Sequence, residues 1–262
     1  MNKWARRRKR IILGMILLAL VIVVGIPSFF LFYKAPTCFD GKMNGDETGV
    51  DCGGSCRLIC SNESLPIITL GDPRVLTVAE NLYEVVVRVE NPNTSAEVNK
   101  AEYVFKVFGN NNSSPLKVIN GSTYVPKSSR FVIFEGPFNL SANSLPTRAT
   151  FEWVESSLVW EENKARVPEL LVSNKVLKDT DTQPRLTADV ANLSLESASD
   201  IDLVATITDE GGNIFAASRT VIDTISPGEV VPIVFTWPSA FSLDALGYDI
   251  TVRVFPRGGL NR

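Results

Sequence analysis

Apolar and polar positions fall into two regimes along this chain. Residues 11–33, IILGMILLALVIVVGIPSFFLFY, run for 23 positions without a charge. A helix of that length spans roughly 34 Å, enough to cross a hydrocarbon layer of ~30 Å once. From Leu65 onward the runs are short and alternate: Val85, Val87 and Val89 with Val86, Arg88 and Glu90, then Tyr103, Phe105 and Val107 with Val104, Lys106 and Phe108. Period two in β-branched and aromatic residues predicts strands, and no helical period of useful length competes. Residues 130–135 and 148–155 are further strand candidates. Turn signals at Asn91-Pro92-Asn93, Gly109-Asn110-Asn111 and Pro126-Lys127-Ser128 separate them at the spacing of a β-sandwich.

The second half repeats the pattern of the first. Val89-Glu90-Asn91 returns as Val190-Ala191-Asn192, Pro126 as Pro227, Phe134 as Phe235 and Pro137 as Pro238, each 101 positions on. Between them Ala101, Tyr103, Phe105 and Val107 match Ile201, Leu203, Ala205 and Ile207 at 100, so one small indel intervenes. Two tandem units follow, joined near the charged stretch 161–168, which ends in Pro168. Asp209-Glu210-Gly211-Gly212-Asn213 is a hairpin signal in the second unit. The organisation predicted is a basic tail (1–10), an anchor helix (11–33), a Cys-rich segment (34–64) and two β-sandwiches (65–162 and 168–262).

Charge orients the apolar run. Lys3, Arg6, Arg7, Arg8, Lys9 and Arg10 precede it, against Lys34 on the far flank, and that bias places the N-terminus in the cytoplasm and the rest outside a cytoplasmic (plasma) membrane. A cleaved signal peptide is the competing reading. The apolar core, however, exceeds the roughly 7 to 15 residues of a signal h-region, and Phe29, Phe30, Phe32 and Tyr33 stand where a small-residue cleavage site would lie. The chain has 26 basic and 29 acidic residues, so without the six N-terminal cations 20 face 29, a net of −9. So acidic a surface repels phosphate, which excludes nucleic acid as a partner and anionic lipid as a ligand of the outer domains.

All four cysteines, Cys38, Cys52, Cys56 and Cys60, lie within 23 residues of one another. An even number clustered outside a membrane predicts two disulfides, with all three pairings open. The segment is too poor in apolar residues for a core of its own, so crosslinks are the source of order. Zinc held by thiolates is the alternative and would need a reducing compartment. Asp40, Asn44, Asp46, Glu47 and Asp51 alternate with five glycines in the same run, the oxygen-rich, bent kind of loop that suits Ca2+. The order of ligands does not fit an EF-hand, since position 3 counted from Asp40 is Lys42 and position 12 is Asp51; the plainer reading is turn formers in a crosslinked knot.

Three resemblances attach to these stretches. The Cys-rich run resembles a C-x-D-G-x-x-N-G-x-E-x-x-x-D-C-G-G-x-C segment found beside membrane anchors in bacterial surface proteins, which implies a location. VRVENPNTSAEVNKAEYVFKVFG resembles the strand-NPN-strand-Tyr-strand signature of late-embryogenesis-abundant group 2 (WHy-type) domains. VATITDEGGNIFAASRTVIDTISPGEVVPIVF is similar to bacterial FxLYD-type domains, with Ala205-Thr206-Ile207-Thr208-Asp209 in place of the aromatic-Leu-Tyr-Asp cluster. Both imply immunoglobulin-like or fibronectin-like sandwiches and neither implies a reaction. The fold class expected is therefore all-β: an N-terminal transmembrane helix, a small disulfide-rich segment and two tandem immunoglobulin-like/fibronectin-like β-sandwiches.

The chain contains no histidine, which removes the commonest general base, the Ser-His and Cys-His nucleophile pairs and the usual catalytic zinc ligands. Carboxylate pairs at Glu161-Glu162 and Asp200/Asp202 read as solvated surface, and no glycine-rich phosphate loop appears. Trp153 and Trp237 read as core, and Trp160, beside the join, as a wedge between the units. The reading is a non-enzymatic, single-pass membrane protein displaying two sandwiches for binding a protein or glycan, or for spacing, at the cell envelope. The alternative is an accessory subunit of a larger membrane complex. A deep pocket with converging acids would revive an enzymatic reading.

Overall fold

The computed structural model describes residues 3–28, 36–110, 113–141 and 144–256. Two compact units make up the chain, Met1–Cys56 and Arg57–Arg262. In the first, helix α1 (Lys3–Leu20) continues through a π-helical turn, Val21–Gly25, and the stretch Arg6–Ser28 is long and apolar enough to cross a membrane. Its apolar side chains from Ile11 to Ile26 are exposed, as a lipid-facing helix requires. The aromatic end of the sequence-predicted anchor, Phe29 to Tyr33, lies outside the described residues.

The second unit is built from strands. The first half holds β1 (Ile68–Ala79), β2 (Leu82–Asn91), β3 (Ala96–Gly109), β4 (Lys117–Val125), β5 (Ser129–Asn139), β6 (Pro146–Trp153) and β7 (Trp160–Glu162). They form two sheets, β1-β2-β5 and β4-β3-β6, with β7 also paired to β3. The second half holds β8 (Leu170–Lys178), β9 (Arg185–Asn192), β10 (Ala198–Thr208), β11 (Ile214–Ile225), β12 (Val230–Thr236) and β13 (Gly247–Val254), in sheets β8-β9-β12 and β11-β10-β13. Every pairing is antiparallel, and the strand order is the same in both halves.

Alternation explains the two cores. Val85, Val87 and Val89 of β2 turn inward with Tyr103, Phe105, Phe131 and Ile133; Leu186, Ala188 and Val190 of β9 do so with Leu203, Ile207, Ile233 and Phe235. Equivalent asparagines close both. Buried Asn91 donates from Nδ2 to the carbonyls of Ala96 and Pro126 and accepts from the Asn93 N–H; buried Asn192 donates to Glu196 and Ile225 and accepts from Ser194. Each ties the end of one strand to the turn after it and to the opposite sheet. The 101-residue match fails at one strand. Phe134 faces out of the first sandwich while Phe235 lies in the core of the second, because a shift of one residue exchanges the two faces of a strand.

Two sequence expectations are revised. Trp160 is no wedge: it is buried in the core of the first sandwich, on a strand paired with Ala96 to Val98. The Cys-rich run also divides at Cys56. Residues 57–60 belong with the strands, where Leu58 bridges Glu161, the Ile59 N–H donates to the Trp160 carbonyl and Arg57 pairs with Glu161.

Candidate functional site

In the crosslinked loop, Cys38 is bonded to Cys56, and Cys52 and Cys60 are disulfide-bonded as well. The thiolates a zinc site needs are therefore absent, and the cluster of Cys38, Glu47 and Cys56 offers only a carboxylate. The structure gathers Asp40, Asn44, Asp46, Glu47 and Asp51 in this loop, where the four carboxylates accept hydrogen bonds from the loop itself while the buried Asn44 Oδ1 has no partner. Asp51 takes the N–H groups of Asp40 and Gly41 at 3.0 Å, Glu47 takes the Asn44 N–H at 3.1 Å, and Asp46 takes the Ser55 hydroxyl at 2.8 Å. The Asn44 side chain donates to Asp40 and holds its carboxyl below the usual range. At the carboxylates a calcium ion would compete with these donors for the same lone pairs; at Asn44 Oδ1 there is no donor to displace. Gly54 sits at φ +59° with the Asp46 carbonyl 2.0 Å from where a Cβ would stand, so this turn accepts glycine alone.

Of the six basic residues thought to set orientation, Arg6, Arg7, Arg8, Lys9 and Arg10 are exposed on α1, and Lys3 begins it.

The densest chemistry in the second unit lies where the two sandwiches meet. Outward residues of β1, β2 and β5, namely Leu76, Val86, Val132 and Phe134, pack on Val204, Ile214 and Ala217 of β10 and β11. Beside this apolar patch stands Arg253 of β13, which is buried. Its Nη1 donates to Thr123 Oγ1 at 2.7 Å and to the Tyr124 carbonyl at 3.1 Å, both in the first sandwich. Its Nη2 donates to Asp202 Oδ2 at 2.8 Å in the second, and Asp202 Oδ1 also accepts from Arg219 Nε at 2.6 Å. The rings of Phe131 and Phe255 flank the guanidinium at 4.3 and 4.5 Å, one from each sandwich. Burial pulls the Arg253 pKa down while Asp202 opposes it, and Nε has no partner. Nothing in the sequence marked this residue, since an arginine in an alternating strand reads as solvent-facing.

A second tie comes from the hairpin between β10 and β11. Its turn closes through Gly212 N–H to the Asp209 carbonyl, and Asn213 N–H donates to Asp209 Oδ1. From the first sandwich, Arg74 hydrogen-bonds Asn213 and Arg88 donates to the Gly212 carbonyl at 3.3 Å.

Beside Arg253 opens a cleft of about 630 Å³, lined among others by Lys100, Glu102, Tyr103, Glu135, Asp202 and Arg219. Its acids converge, but each is held. Asp202 carries two arginines, Glu135 accepts from the Tyr103 hydroxyl at 2.7 Å, and Glu102 lies 3.8 Å from Lys100. Burial, reinforced by Glu135, raises the Tyr103 pKa, so its phenol stays protonated. The other acid pair, Glu161 and Glu162, is bound to Arg57 and Lys164.

Glu84, on the outward side of β2, lines a small pocket with Leu76, Phe215, Ala217, Trp237 and Phe241. Burial against these apolar neighbours pushes its carboxyl up to about 7. The folded state therefore favours the protonated acid. Its stability is complete below the unfolded pKa near 4.5 and falls as pH rises from there through about 7. Glu84→Gln removes the charge and keeps the shape. The variant should match the native protein at pH 4 and exceed it at pH 8 by about 1 kcal/mol, discounted for partial exposure, in paired thermal melts. Equal melting at both pH values would show that the carboxylate is solvated.

No family model matches the chain, and no curated protein matches it. Among solved structures it is similar to the crystal structure of a red sea bream transglutaminase, at 12% identity and a TM-score of 0.23. That match covers 71% of this chain and 32% of the other, and a likeness so loose carries no statement about activity.

Proposed function

We propose that this protein is a single-pass membrane protein that holds two β-sandwiches, clasped into one stiff body, outside the cytoplasmic membrane, where they bind or space and do not catalyse. The observation that carries the reading is the joint at Arg253. A loose tandem has no use for a buried guanidinium shared by both sandwiches, whereas a body that must keep a fixed reach or present a fixed surface does. Supporting it are one apolar helix of membrane-spanning length, an excess of basic residues before it, and oxidised cysteines, which suit an extracytoplasmic space. The lack of histidine and the mutual neutralisation of the cleft acids favour a non-enzymatic role.

Protease added to intact cells tests the placement. An epitope fused after Arg262 should be digested from outside, while one fused before Lys3 should survive until the membrane is opened. Protection of the C-terminal epitope would reject the orientation and the display role together.

The accessory-subunit reading is favoured by a different observation, the exposed apolar side chains of Leu171, Val176, Val230 and Val234 on the outermost sheet. Purification from mild detergent in stoichiometric complex with one other membrane protein would support it.

A further inference from the structure

A sheet edge presents a row of backbone N–H and C=O groups that will pair with another chain unless something blunts it. In the strand-built unit most edges are blunted in recognisable ways. β1 carries Pro73 within a bulge, β5 carries Pro137 in another, β12 has Pro232 near its middle and β8 bulges at Asn174. β6 lies against β1, the Ala217 carbonyl of β11 takes the Trp237 indole, and β13 is tied to Lys175 through Tyr248 and Asp249. β4 has none of these devices. Its sequence KVINGSTYV holds no proline and one charge, Lys117 at its start, and the irregularity in its ladder falls on β3.

The groups that β4 leaves open can be named. Glu102 of β3 turns its backbone toward β6 and the turn after it, donating its N–H to Ser157 Oγ and accepting from the Val154 N–H, so it makes no bond to Ser122, its partner across the ladder. The N–H and C=O of Ser122 therefore face away from the sheet, and alternation gives the same direction to those of Asn120 and Tyr124. The Tyr124 carbonyl, pointing that way, accepts from Arg253. Among the described residues nothing bonds the backbone of Asn120 or Ser122 on that side. Both open into the cleft beside Arg253, which β4 lines with Asn120, Gly121, Ser122 and Thr123.

We infer that this cleft takes an extended segment of another polypeptide, which adds to the free edge of β4 as a further strand. The inference deepens the binding reading above by naming the kind of partner, and rests on that reading for its compartment. Volume agrees with it. A strand in a sandwich occupies ~4.8 Å by ~10 Å in section and ~3.3 Å along the chain, about 160 Å³ per residue, so the 630 Å³ of the cleft hold about four residues, as many as β4 presents there. Charge agrees as well. Lys100, Arg219 and Arg253 balance Glu102, Glu135 and Asp202 around the cleft, which suits a neutral peptide backbone and not a phosphate or a sulfated sugar. Asp202, Arg219 and Phe255 of the second sandwich close one side, so a single chain fits where the edge of a whole second copy does not. The net charge of −9 that the chain carries without its six N-terminal cations favours a basic or neutral segment over an acidic one.

The test uses the full chain in lipid vesicles and a phage-displayed library of random peptides, the selected sequences then being synthesised. Ser122→Pro removes an N–H that faces the cleft and none that pairs with β3, so an edge strand tolerates it, while Ser122→Ala leaves the backbone as it is. Selected peptides should bind the native protein and the alanine variant alike and the proline variant about tenfold more weakly or worse, with an unchanged melting curve as the folding control. Asn120→Pro replaces a variant that melts early. Independently of any variant, N-methylation of alternate peptide amides should abolish binding in one register and spare it in the other. Failure to select a peptide, equal binding to Ser122→Pro, or equal effects of the two methylation registers overturns the inference. Loss of peptide binding as the protein is packed more densely gives the edge to a second copy and overturns it too. Failure here leaves the membrane orientation untouched, and failure of the protease test leaves this edge standing.

Discussion

Arg253→Met lowers the melting temperature of the strand-built unit and loosens the two sandwiches from each other. The substitution leaves Asp202 buried with Arg219 as its remaining partner and strips donors from Thr123 Oγ1 and the Tyr124 carbonyl. Breaking a buried pair from one side costs about 3–5 kcal/mol, and the surviving Arg219 pair puts this case near the lower end. For a unit of this size that is roughly 6–12 °C, and calorimetry should show the single transition separating into two as the halves melt independently. Adding Asp202→Leu should recover much of the loss, because a buried ion pair replaced as a whole by apolar groups is often neutral. If Arg253→Met melts as the native protein does, the joint is not held by this residue and the case for a stiff body goes with it.

Asn192→Ala carries the second large effect. It leaves the Glu196 and Ile225 carbonyls and the Ser194 N–H without their partner in the second sandwich. An orphaned buried polar group costs about 1–3 kcal/mol, so about 3 kcal/mol for the set is expected. Hydrogen exchange should localise the change to β9, β11 and the turn between β9 and β10. Asn91→Ala should act in the same way on the first sandwich, at the Ala96 and Pro126 carbonyls. Asn192→Asp, which keeps the acceptor and loses the donors, should be no milder than alanine. Uniform loss of protection across both sandwiches would mean that the asparagines act through the joint and not locally.

The strands were legible because alternation is a property of the chain alone. Val85-Val87-Val89 and Tyr103-Phe105 point into the core as their period requires, Val107 is buried in step with them, and the turn at Asp209 to Asn213 closes a hairpin as its residues suggest. The joint was not legible in the same way. Glu84, Asp202 and Arg253 sit at positions where a charged side chain normally meets water, and only the approach of a second sheet buries Asp202 and Arg253 and half-buries Glu84. A signal was nonetheless present. Val85-Val86-Val87 and Phe131-Val132-Ile133-Phe134 are continuous apolar runs, which mark a strand covered on both faces. The same reasoning applied to β12, where Val230, Val231, Pro232, Ile233 and Val234 run together, points to its exposed outer side. Trp160 was misplaced because its strand is three residues long, too short for a period, and its position followed from pairing with β3.

By itself the sequence determined what depends on near neighbours: a helix able to span a membrane, alternating strands in two similar sets, cysteines close enough to crosslink, and the absence of histidine. Tertiary structure decided which sheet face meets which, that Cys38 pairs with Cys56, and that one arginine holds two sandwiches together. Those choices turn on desolvation and on the geometry of groups more than a hundred residues apart, as Arg253 and Thr123 are, and no local pattern of residues encodes either.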